Sequence, residues 1–483
     1  MSSPEAAVPV DSGDDREPAI RHPPTITAPH RLLLPAIALG TTLAPLNSTM
    51  IAVGLPEIQG AFGVSITATS WLVTIYLVAM AAGQPIGGRL GDTYGRRRVY
   101  LIGLTLFGIA SAGCAFAPDL GWLIFFRTMQ ALAGALSFPN GAAMVREAIP
   151  RERRGAAFGM VGMATGIAAG LGPPLGGLLV HAFGWASIFW ANVPVIAVAL
   201  LLGWRSLPRR LPQRTMRSRF DVAGTGLLTL ALAMITLIPT SLRIGNAALA
   251  VGVGFLGIAI GWGFARWELR TPAPVVNLRL FASPHFAAAC AAVGLGNLVM
   301  YTTLLALPLY LEGVLHRGVQ TSGFVLIALS ALAAVCGPLG GRWSDRFGRW
   351  LPAVTGGLAM LLGAIVIVAG VSRESISIIV AALAIMGVGI GVSGASVQTA
   401  AVESVPLDAA GAAAGIYSTA RYLGSVAGST VLAALFAQRS GDATGGRFVL
   451  LFAGLSVLAG GGVVANSLIA ARRSPRLELE RVA

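Results

Sequence analysis

The sequence predicts an all-α membrane protein in which two six-helix halves flank two extra central helices, with fourteen transmembrane helices in all. Three observations indicate this class: the composition is strongly apolar, apolar runs of spanning length recur along the chain, and the sequence contains an internal repeat. Hydrophobic residues make up 55% of the 483 residues and charged residues only 11%, whereas a soluble protein has roughly 25% charged residues. Most of the surface must therefore face lipid.

Fourteen apolar runs approach or exceed the roughly 20 residues that a membrane-spanning helix needs. The predicted spans are 32–54, 69–90, 99–117, 120–145, 156–180, 185–204, 222–241, 247–266, 286–311, 320–342, 350–371, 376–401, 409–436 and 447–471. They divide the chain into a disordered cytoplasmic tail (1–31), an N-terminal half (32–204), a linker with the two extra helices (205–285), a C-terminal half (286–471) and a second cytoplasmic tail (472–483).

The placement of arginine predicts the orientation. With the N-terminus inside, 27 arginines fall on the inner side of the predicted spans and 5 on the outer side, while Arg127 and Arg421 lie within spans. Cytoplasmic loops of membrane proteins are enriched in arginine, so we expect both termini in the cytoplasm and the protein in the plasma (inner) membrane. The same bias explains the net charge of +14 without binding to nucleic acid.

The basic residues also exclude several kinds of chemistry. All 34 of them are arginine, so the chain lacks the lysine that P-loop nucleotidases and Schiff-base enzymes need. The apolar segments contain no histidine pair, serine triad or metal-ligand spacing, and the three cysteines are far apart. The sequence therefore predicts no enzyme activity, no cofactor and no metal, and any work must draw on an ion gradient or a partner.

Two segments of the first half recur in the second half. The stretch 88–96 matches 341–349, and their aspartates are 253 positions apart. The stretch 147–159 shares a glutamate, a proline and two glycines at equal spacing with 403–415, at an offset of 256 positions. Homologous halves of this kind are typical of transporters whose substrate site lies between the halves. The two extra helices have no counterpart in the repeat.

The repeated loops carry charges that we expect to form a conformational latch. A carboxylate at the end of one helix can accept hydrogen bonds from arginine and from the N-terminus of another helix. Such a latch would open when the halves rock; ordinary solvated loops are the alternative, against which the repetition argues. The expected latch residues are Asp92, Arg96, Arg97, Glu147, Asp345, Arg349 and Glu403.

Six motifs resemble the major facilitator superfamily, the last three of them its fourteen-helix drug:proton antiporter branch, and the resemblance covers residues 32–471. The motifs lie at 88–98, 127–135, 172–177, 185–194, 220–224 and 307–311. The resemblance implies a major facilitator fold and multidrug-type, proton-coupled efflux by alternating access, a route to antibiotic resistance. Its implied partners are small amphipathic molecules, protons and the lipid bilayer, and it implies a monomer.

One position departs from that resemblance. The branch usually has an aspartate in helix one where this chain has Asn47, so Arg127 and Glu312 are the remaining candidates for proton coupling. Snorkelling of Arg127 to the headgroups and an ordinary interfacial position of Glu312 are the alternatives. Because Arg127 and Arg421 lie within spans and no carboxylate lies near the middle of one, we expect the cavity to favour neutral or anionic amphiphiles over cations.

A stretch rich in glycine and proline in helix five is expected to act as a hinge that seals the interface between the halves, with plain helix packing as an equal alternative. The hinge residues are Gly172, Pro173, Pro174, Gly176 and Gly177. Inward-facing polar and aromatic residues would form a substrate cavity with apolar walls, although each could instead serve packing. The cavity residues are Asn47, Tyr76, Gln84, Asn140, Asn297, Tyr301, Gln398, Tyr417, Arg421 and Tyr422.

The sequence leaves two other functions open. The same fold could export one specific metabolite, or it could serve as a membrane sensor or scaffold that transports nothing. Competition among unrelated compounds would distinguish the first alternative from multidrug efflux, and transport in proteoliposomes would decide the second.

Overall fold

The computed structural model describes residues 32–208, 221–243, 246–272, 274–317, 319–436 and 445–469. Within these ranges all regular elements are helical. The predicted cytoplasmic tails and residues 209–220 of the predicted linker lie outside the described residues.

The described ranges contain fifteen α-helices. The first half consists of α1 (Leu33–Phe62), α2 (Ile66–Tyr94), α3 (Arg96–Ala115), α4 (Leu120–Ala148), α5 (Arg154–Phe183), α6 (Ser187–Trp190) and α7 (Asn192–Ser206). The extra helices are α8 (Val222–Arg243) and α9 (Ala247–Arg270). The second half consists of α10 (Pro284–Gly313), α11 (Val319–Phe347), α12 (Trp350–Ser372), α13 (Ile376–Glu403), α14 (Ala410–Phe436) and α15 (Gly445–Ser467).

Fewer helices than predicted have both the length and the apolarity of a membrane span. Ten helices among the described residues are long and apolar enough to cross a membrane, or eleven if the bent α1 counts as one span. The predicted count of fourteen is therefore not supported by length and apolarity. Helices α4, α8 and α14 fall short; α4 and α14 contain Arg127 and Arg421 among other polar residues, and only Ala223–Ile235 of α8 forms an apolar helix.

The two halves meet along two seams. One seam joins α5 to α11 and the other joins α2 to α14. Helix α8 packs against both α2 and α14, and α9 packs mainly on α8. Leu228 and Leu232 of α8 lie in one buried cluster with Ala81 and Ala82 of α2, so the extra helices lie against the α2–α14 seam.

Glycine allows both seams to close. A Cβ atom on Gly88 would lie 2.0 Å from the carbonyl oxygen of Gly411, and one on Gly155 would lie 2.4 Å from that of Gly341. Any larger side chain at these positions would push the helices apart, because small residues are what let spanning helices approach closely. The repeated glycines of the sequence therefore lie where the halves touch.

The predicted hinge residues pack mainly within the first half. Helix α5 continues without a break through Pro173 and Pro174. A Cβ on Gly172 would lie 1.8 Å from Thr49 Oγ1, and one on Gly176 would lie 3.0 Å from Met50 Cα. Both neighbours belong to α1, so these two glycines allow close packing of α5 on α1. Gly177 also faces α1, since its Cβ would lie 3.7 Å from Val53 Cγ1.

Candidate functional site

Asp92 joins the two halves at one end of the α2–α14 seam. Its Oδ1 accepts a hydrogen bond from the backbone N–H of Gly411 at 3.1 Å, and its Oδ2 accepts one from Ala412 at 2.9 Å. These amides belong to the first turn of α14, where unpaired N–H groups and the helix dipole favour a negative charge. A carboxylate at the end of α2 thus caps a helix of the other half.

Arg96 connects this cap to α4 through ion pairs. Its Nη2 lies 2.7 Å from Asp92 Oδ1, its Nη1 lies 2.7 Å from Glu147 Oε1, and Nη2 also donates to the carbonyl of Leu407 at 2.8 Å. Arg97, also expected in the latch, instead donates to the carbonyl of Trp204 at 2.7 Å. The arginine of the first latch that pairs with Asp92 is therefore Arg96.

The second half repeats the arrangement at the α5–α11 seam. Asp345 of α11 accepts hydrogen bonds from the N–H groups of Gly155 and Ala156, each at 2.7 Å. Arg349 lies 2.7 Å from Asp345 and 3.2 Å from Glu403, and Arg154 lies 3.1 Å from Glu403. Each half thus uses an aspartate to cap a helix of the other half.

These contacts close one end of the molecule. Side chains of the first latch are 8% (Arg96), 13% (Asp92) and 15% (Glu147) exposed, so water screens them less than it screens surface pairs. Arg146, which the predicted site lacks, adds hydrogen bonds to the carbonyls of Val405 at 2.6 Å and Pro406 at 3.1 Å. Since a hydrogen bond to a charged group contributes about 1.5–3 kcal/mol, opening this end requires breaking several substantial contacts.

Arg127 lies buried in the centre of the first half. Its guanidinium is fully buried, donates through Nη1 to Asn47 Oδ1 and to Gln130 Oε1 (the latter at 2.7 Å), and lies 4.0 Å from the ring centroid of Tyr76. Snorkelling to the headgroups is therefore wrong for Arg127. Asn47 contacts Arg127, so the amide that stands in place of the expected aspartate is a direct neighbour of this charge.

A hydrogen-bond network extends from Arg127 toward α7. Gln130 Nε2 and Asn192 Nδ2 both donate to Ser111 Oγ at 3.0 Å, and Ser111 donates to the carbonyl of Phe189 at 2.9 Å. Ser111 and Asn192 are absent from the predicted site. Asn192 lies in one of the six motifs, whereas Ser111 lies in an apolar run that gives no signal in the sequence.

Arg421 bridges the halves through an aromatic ring. The guanidinium of this α14 residue lies 4.4 Å from the ring of Phe138 in α4 and 5.5 Å from the ring of Tyr422, and it donates to Ser418 Oγ at 3.1 Å. Tyr422 packs against the cluster that contains Tyr76. Each spanning arginine therefore lies against one tyrosine, Arg127 against Tyr76 of the first half and Arg421 against Tyr422 of the second half.

The other predicted cavity residues divide into three groups. Gln84 and Asn140 are fully buried at helix contacts, and Asn140 donates to the carbonyls of Gly87 and Leu136. Tyr301 and Gln398 are half-buried. Asn297 and Tyr417 line a separate cavity of the second half.

That separate cavity lies within the second half and has a water-accessible volume of about 90 Å³. Its walls come from α10, α12, α13, α14 and α15, with Ser393 and Asn466 as further polar residues. Asn297 donates to the carbonyl of Val293 at 3.1 Å, a bond within its own helix. Asn297 and Tyr417 are the members of the predicted cavity set that line this cavity.

Glu312 lies at the end of α10 and is exposed. In the part of the chain that the structure describes, no group of three or more His, Cys, Asp or Glu residues could hold a metal ion.

Comparisons with known proteins agree with this architecture. A sequence model described as Major Facilitator Superfamily matches residues 37–429. The uncharacterized MFS-type transporter YvkA of Bacillus subtilis is 34% identical over 401 residues, covering 83% of this chain and 89% of that protein. The multidrug resistance protein Stp of Mycobacterium tuberculosis is 32% identical, covering 84% of this chain and 76% of that protein.

A third relative and a solved structure are also similar to this chain. The tetracenomycin C resistance and export protein of Streptomyces glaucescens is 31% identical, covering 84% of this chain and 76% of that protein. The crystal structure of the human organic anion transporter MFSD10 superposes with a TM-score of 0.65 at 17% identity, covering 90% of this chain and all of that one, and so shows the fold alone. The chain is thus a multi-pass membrane transporter, and it belongs to the Major Facilitator Superfamily.

Proposed function

We propose that this protein is a proton-coupled efflux transporter of amphipathic organic compounds that works by alternating access as a monomer. The observation that carries the proposal is the pair of latches, in which Asp92 and Asp345 each cap a helix of the opposite half. Two equivalent, breakable contacts at one end are what a molecule needs if its halves rock about a central cavity.

We further propose fourteen spans and membership of the drug:proton antiporter branch. Helices α4 and α14 have 29 and 27 residues, long enough to cross the membrane. Their polar side chains lower the mean hydropathy of both helices. These side chains are compatible with a membrane span because they face protein rather than lipid: Gln130, Asn140 and Ser418 are all fully buried. Counting α4, α8 and α14 with the eleven apolar spans gives fourteen.

The orientation and location are also proposals. The arginine-rich ends of the spans include the latch arginines Arg96 and Arg349, so the latched end should face the cytoplasm, together with both termini. The protein would then lie in the plasma membrane with its cytoplasmic end closed. Export requires this state to alternate with one in which the latches open.

The cavity charge supports neutral or anionic amphiphiles as substrates. Arg127 and Arg421 carry positive charge into the region between α2, α4 and α14, and their neighbours among the described residues are amides, a hydroxyl and aromatic rings. An uncompensated charge acts strongly in a medium of low dielectric constant. A lipophilic dication should therefore bind poorly.

Uptake into everted membrane vesicles tests the proposal. We expect accumulation of several unrelated neutral or anionic amphiphiles when a proton gradient is imposed, and little accumulation without one. The Asp92→Arg variant, present at equal abundance, serves as the matched control and should be inactive. Accumulation that ignores the proton gradient would contradict proton coupling, and failure to accumulate any compound would contradict export.

Export of one specific compound is the second candidate function. It draws support from the relative in Streptomyces glaucescens, whose name ties it to tetracenomycin C. If one compound is exported and structurally unrelated ones do not compete, this alternative replaces the multidrug proposal. A sensor or scaffold would transport nothing in proteoliposomes.

A further inference from the structure

A pair of buried carboxylates lies at the base of the extra helices, outside both latches and the cavity. Asp221 immediately precedes α8 and is 8% exposed, and Glu268 lies in the last turn of α9 and is 2% exposed. Among the described residues, no other aspartate or glutamate is as deeply buried as these two. Glu268 lies just beyond the predicted span 247–266, where nothing in the sequence singles it out.

The two carboxylates converge on Gly224 in the first turn of α8. A Cβ atom on this glycine would lie 2.5 Å from Asp221 Oδ2 and 2.7 Å from Glu268 Oε1. The two oxygens therefore lie within about 5 Å of each other. At that separation, in a buried site, two negative charges repel each other strongly.

The hydrogen-bond donors around the pair are distributed unequally. Asp221 Oδ1 accepts from the N–H of Gly224 at 2.8 Å, and both of its oxygens accept from Trp267 Nε1, at 3.0 and 3.1 Å. The amides of Val275 and Val276 lie near Glu268, but neither Glu268 oxygen reaches hydrogen-bond geometry with a described residue. Asp221 thus has three donor contacts with hydrogen-bond geometry, whereas the amides near Glu268 fall short of that geometry.

We propose that Asp221 and Glu268 together bind one proton, carried on Glu268, and that this carboxyl pair is the site through which a proton gradient acts on the transporter. Binding changes the charge of the pair from −2 to −1, with the proton taken from water at this membrane face. A carboxyl group that carries its own hydrogen needs no external donor, which accounts for the surroundings of Glu268. The coupling role rests on the proposed function, whereas the binding of one proton by the pair does not depend on it.

Arg89 connects the pair to the first latch. This α2 residue interacts electrostatically with both carboxylates, and its Nη1 donates to the carbonyl of Pro274. Because residues three apart share one face of a helix, Arg89 and Asp92 lie on the same side of α2. Release of the proton would add a negative charge to the pair and strengthen its electrostatic attraction for Arg89. Arg89 lies at the end of α2 where Asp92 caps α14.

The remaining charged groups near the pair are few. Arg266 stacks on Trp262 at 5.0 Å, and Arg270 and Arg279 are exposed. His285, at the start of α10, contacts the carbonyl of Leu468. Arg421 is the only charged residue in α14, and it lies against Phe138. Arg89 is therefore the described cation best placed to respond to the pair.

Infrared spectroscopy of the purified full-length protein in lipid vesicles tests for the proton directly. At neutral pH the wild type should show a carboxylic-acid carbonyl band that disappears in Glu268→Gln and persists in Glu152→Gln. Glu152 is a matched control because it is exposed and lies at the latched end. A wild-type spectrum without a band that depends on Glu268 would overturn the proposal.

A second variant keeps the proposal testable if Glu268→Gln misfolds. In Asp221→Asn, Glu268 loses its charged neighbour, so the band should shift in frequency or vanish. A band unchanged by this substitution would overturn the pairing. A band that sodium ions abolish at constant pH would also overturn it, because the pair would then be a metal-cation site.

Transport in proteoliposomes tests the coupling role separately. Glu268→Gln should abolish the stimulation of export by a proton gradient, and Glu152→Gln should retain it. Stimulation that survives in Glu268→Gln would overturn the coupling role. If the wild type itself shows no stimulation, proton-coupled efflux is wrong, while the infrared band still decides whether the pair binds a proton.

Discussion

At the residue scale, the contacts of Arg127 with described residues are all with neutral groups. Asn47 and Gln130 accept its hydrogen bonds and Tyr76 lies against its guanidinium, but Nε and Nη2 have no hydrogen-bond partner among the described residues. A buried charge without a counter-ion costs several kcal/mol. An aspartate at position 47 would therefore place a negative charge directly against Arg127.

We predict that Asn47→Asp stabilises the protein and improves export of cations. The substitution converts a neutral acceptor of Arg127 into a charged one, and hydrogen bonds to charged groups are stronger by about 1 kcal/mol. Thermal unfolding in detergent measures the first effect, and vesicle uptake of a quaternary ammonium compound measures the second.

Asn140→Asp is the control for this prediction. Asn140 is as deeply buried as Asn47, but it donates to the carbonyls of Gly87 and Leu136. Aspartate cannot make these donations when ionised, so this variant should unfold at a lower temperature than the wild type. If the two variants shift the unfolding temperature in the same direction, the assignment of Asn47 to Arg127 is wrong.

Replacing Arg421 should alter charge selectivity. We predict that Arg421→Ala lowers export of anionic substrates about tenfold and that of neutral ones less, because one lost charged contact of about 1.5 kcal/mol corresponds to a factor of roughly ten. Competition uptake with matched anionic and neutral amphiphiles provides the measurement. Arg317→Ala, at an exposed position, is the control, and equal losses for both substrates would contradict the prediction.

At the element scale, the latches combine an ion pair with a helix cap. Asp92 serves both Arg96 and the first turn of α14, and Asp345 serves both Arg349 and the first turn of α5. The sequence could indicate the charges, because the repeat displays them twice. It could not indicate which neighbouring arginine pairs with Asp92, because the rotation of α3 that selects Arg96 over Arg97 is set by packing.

Exchanging the charges of the first latch separates its two parts. We predict that Asp92→Arg abolishes transport with little loss of protein from the membrane, and that adding Arg96→Asp does not restore it. The exchange re-creates an ion pair but leaves the N–H groups of Gly411 and Ala412 facing a cation. Asp92→Glu should keep partial activity. Full activity of the exchanged protein would show that the ion pair alone is needed.

A single methyl group should keep the α2–α14 seam from closing. We predict that Gly88→Ala loses transport while folding and inserting normally, because its Cβ would lie 2.0 Å from the carbonyl oxygen of Gly411. Gly162→Ala in α5 has no atom within 4 Å of the added carbon and should transport normally. Equal activity of the two variants, measured by vesicle uptake, would rule out close contact at this seam.

Apolarity alone does not identify every helix of spanning length in this chain. Helices α4 and α14 carry the residues that face the cavity and the latches, so their hydropathy falls although their length does not. The partners Asn47 and Arg127 are 80 positions apart, and no periodicity in either helix links them. The sequence therefore predicts the helices well and the contacts between them poorly.

At the scale of the whole molecule, the two latches close the same end and should act together. We predict that the double variant Asp92→Asn with Asp345→Asn shifts the population toward a state open at this end. Spin labels on Tyr94→Cys and Leu407→Cys, both exposed, should report a longer distance by pulsed electron resonance. The same labels in Glu152→Gln should report the wild-type distance, and an unchanged distance in the double variant would contradict the latch.

The position of α8 has a consequence for how lipid-dissolved molecules reach the cavity. Because α8 packs against both α2 and α14 and α9 lies outside it, a molecule diffusing in the bilayer meets two additional helices before it reaches that seam. The seam between α5 and α11 presents Leu171, Leu175, Phe324 and Ile327 at the surface. Molecules dissolved in the membrane should therefore enter at the α5–α11 seam rather than at the α2–α14 seam. The two similar halves would then differ in how the lipid phase reaches the cavity between them.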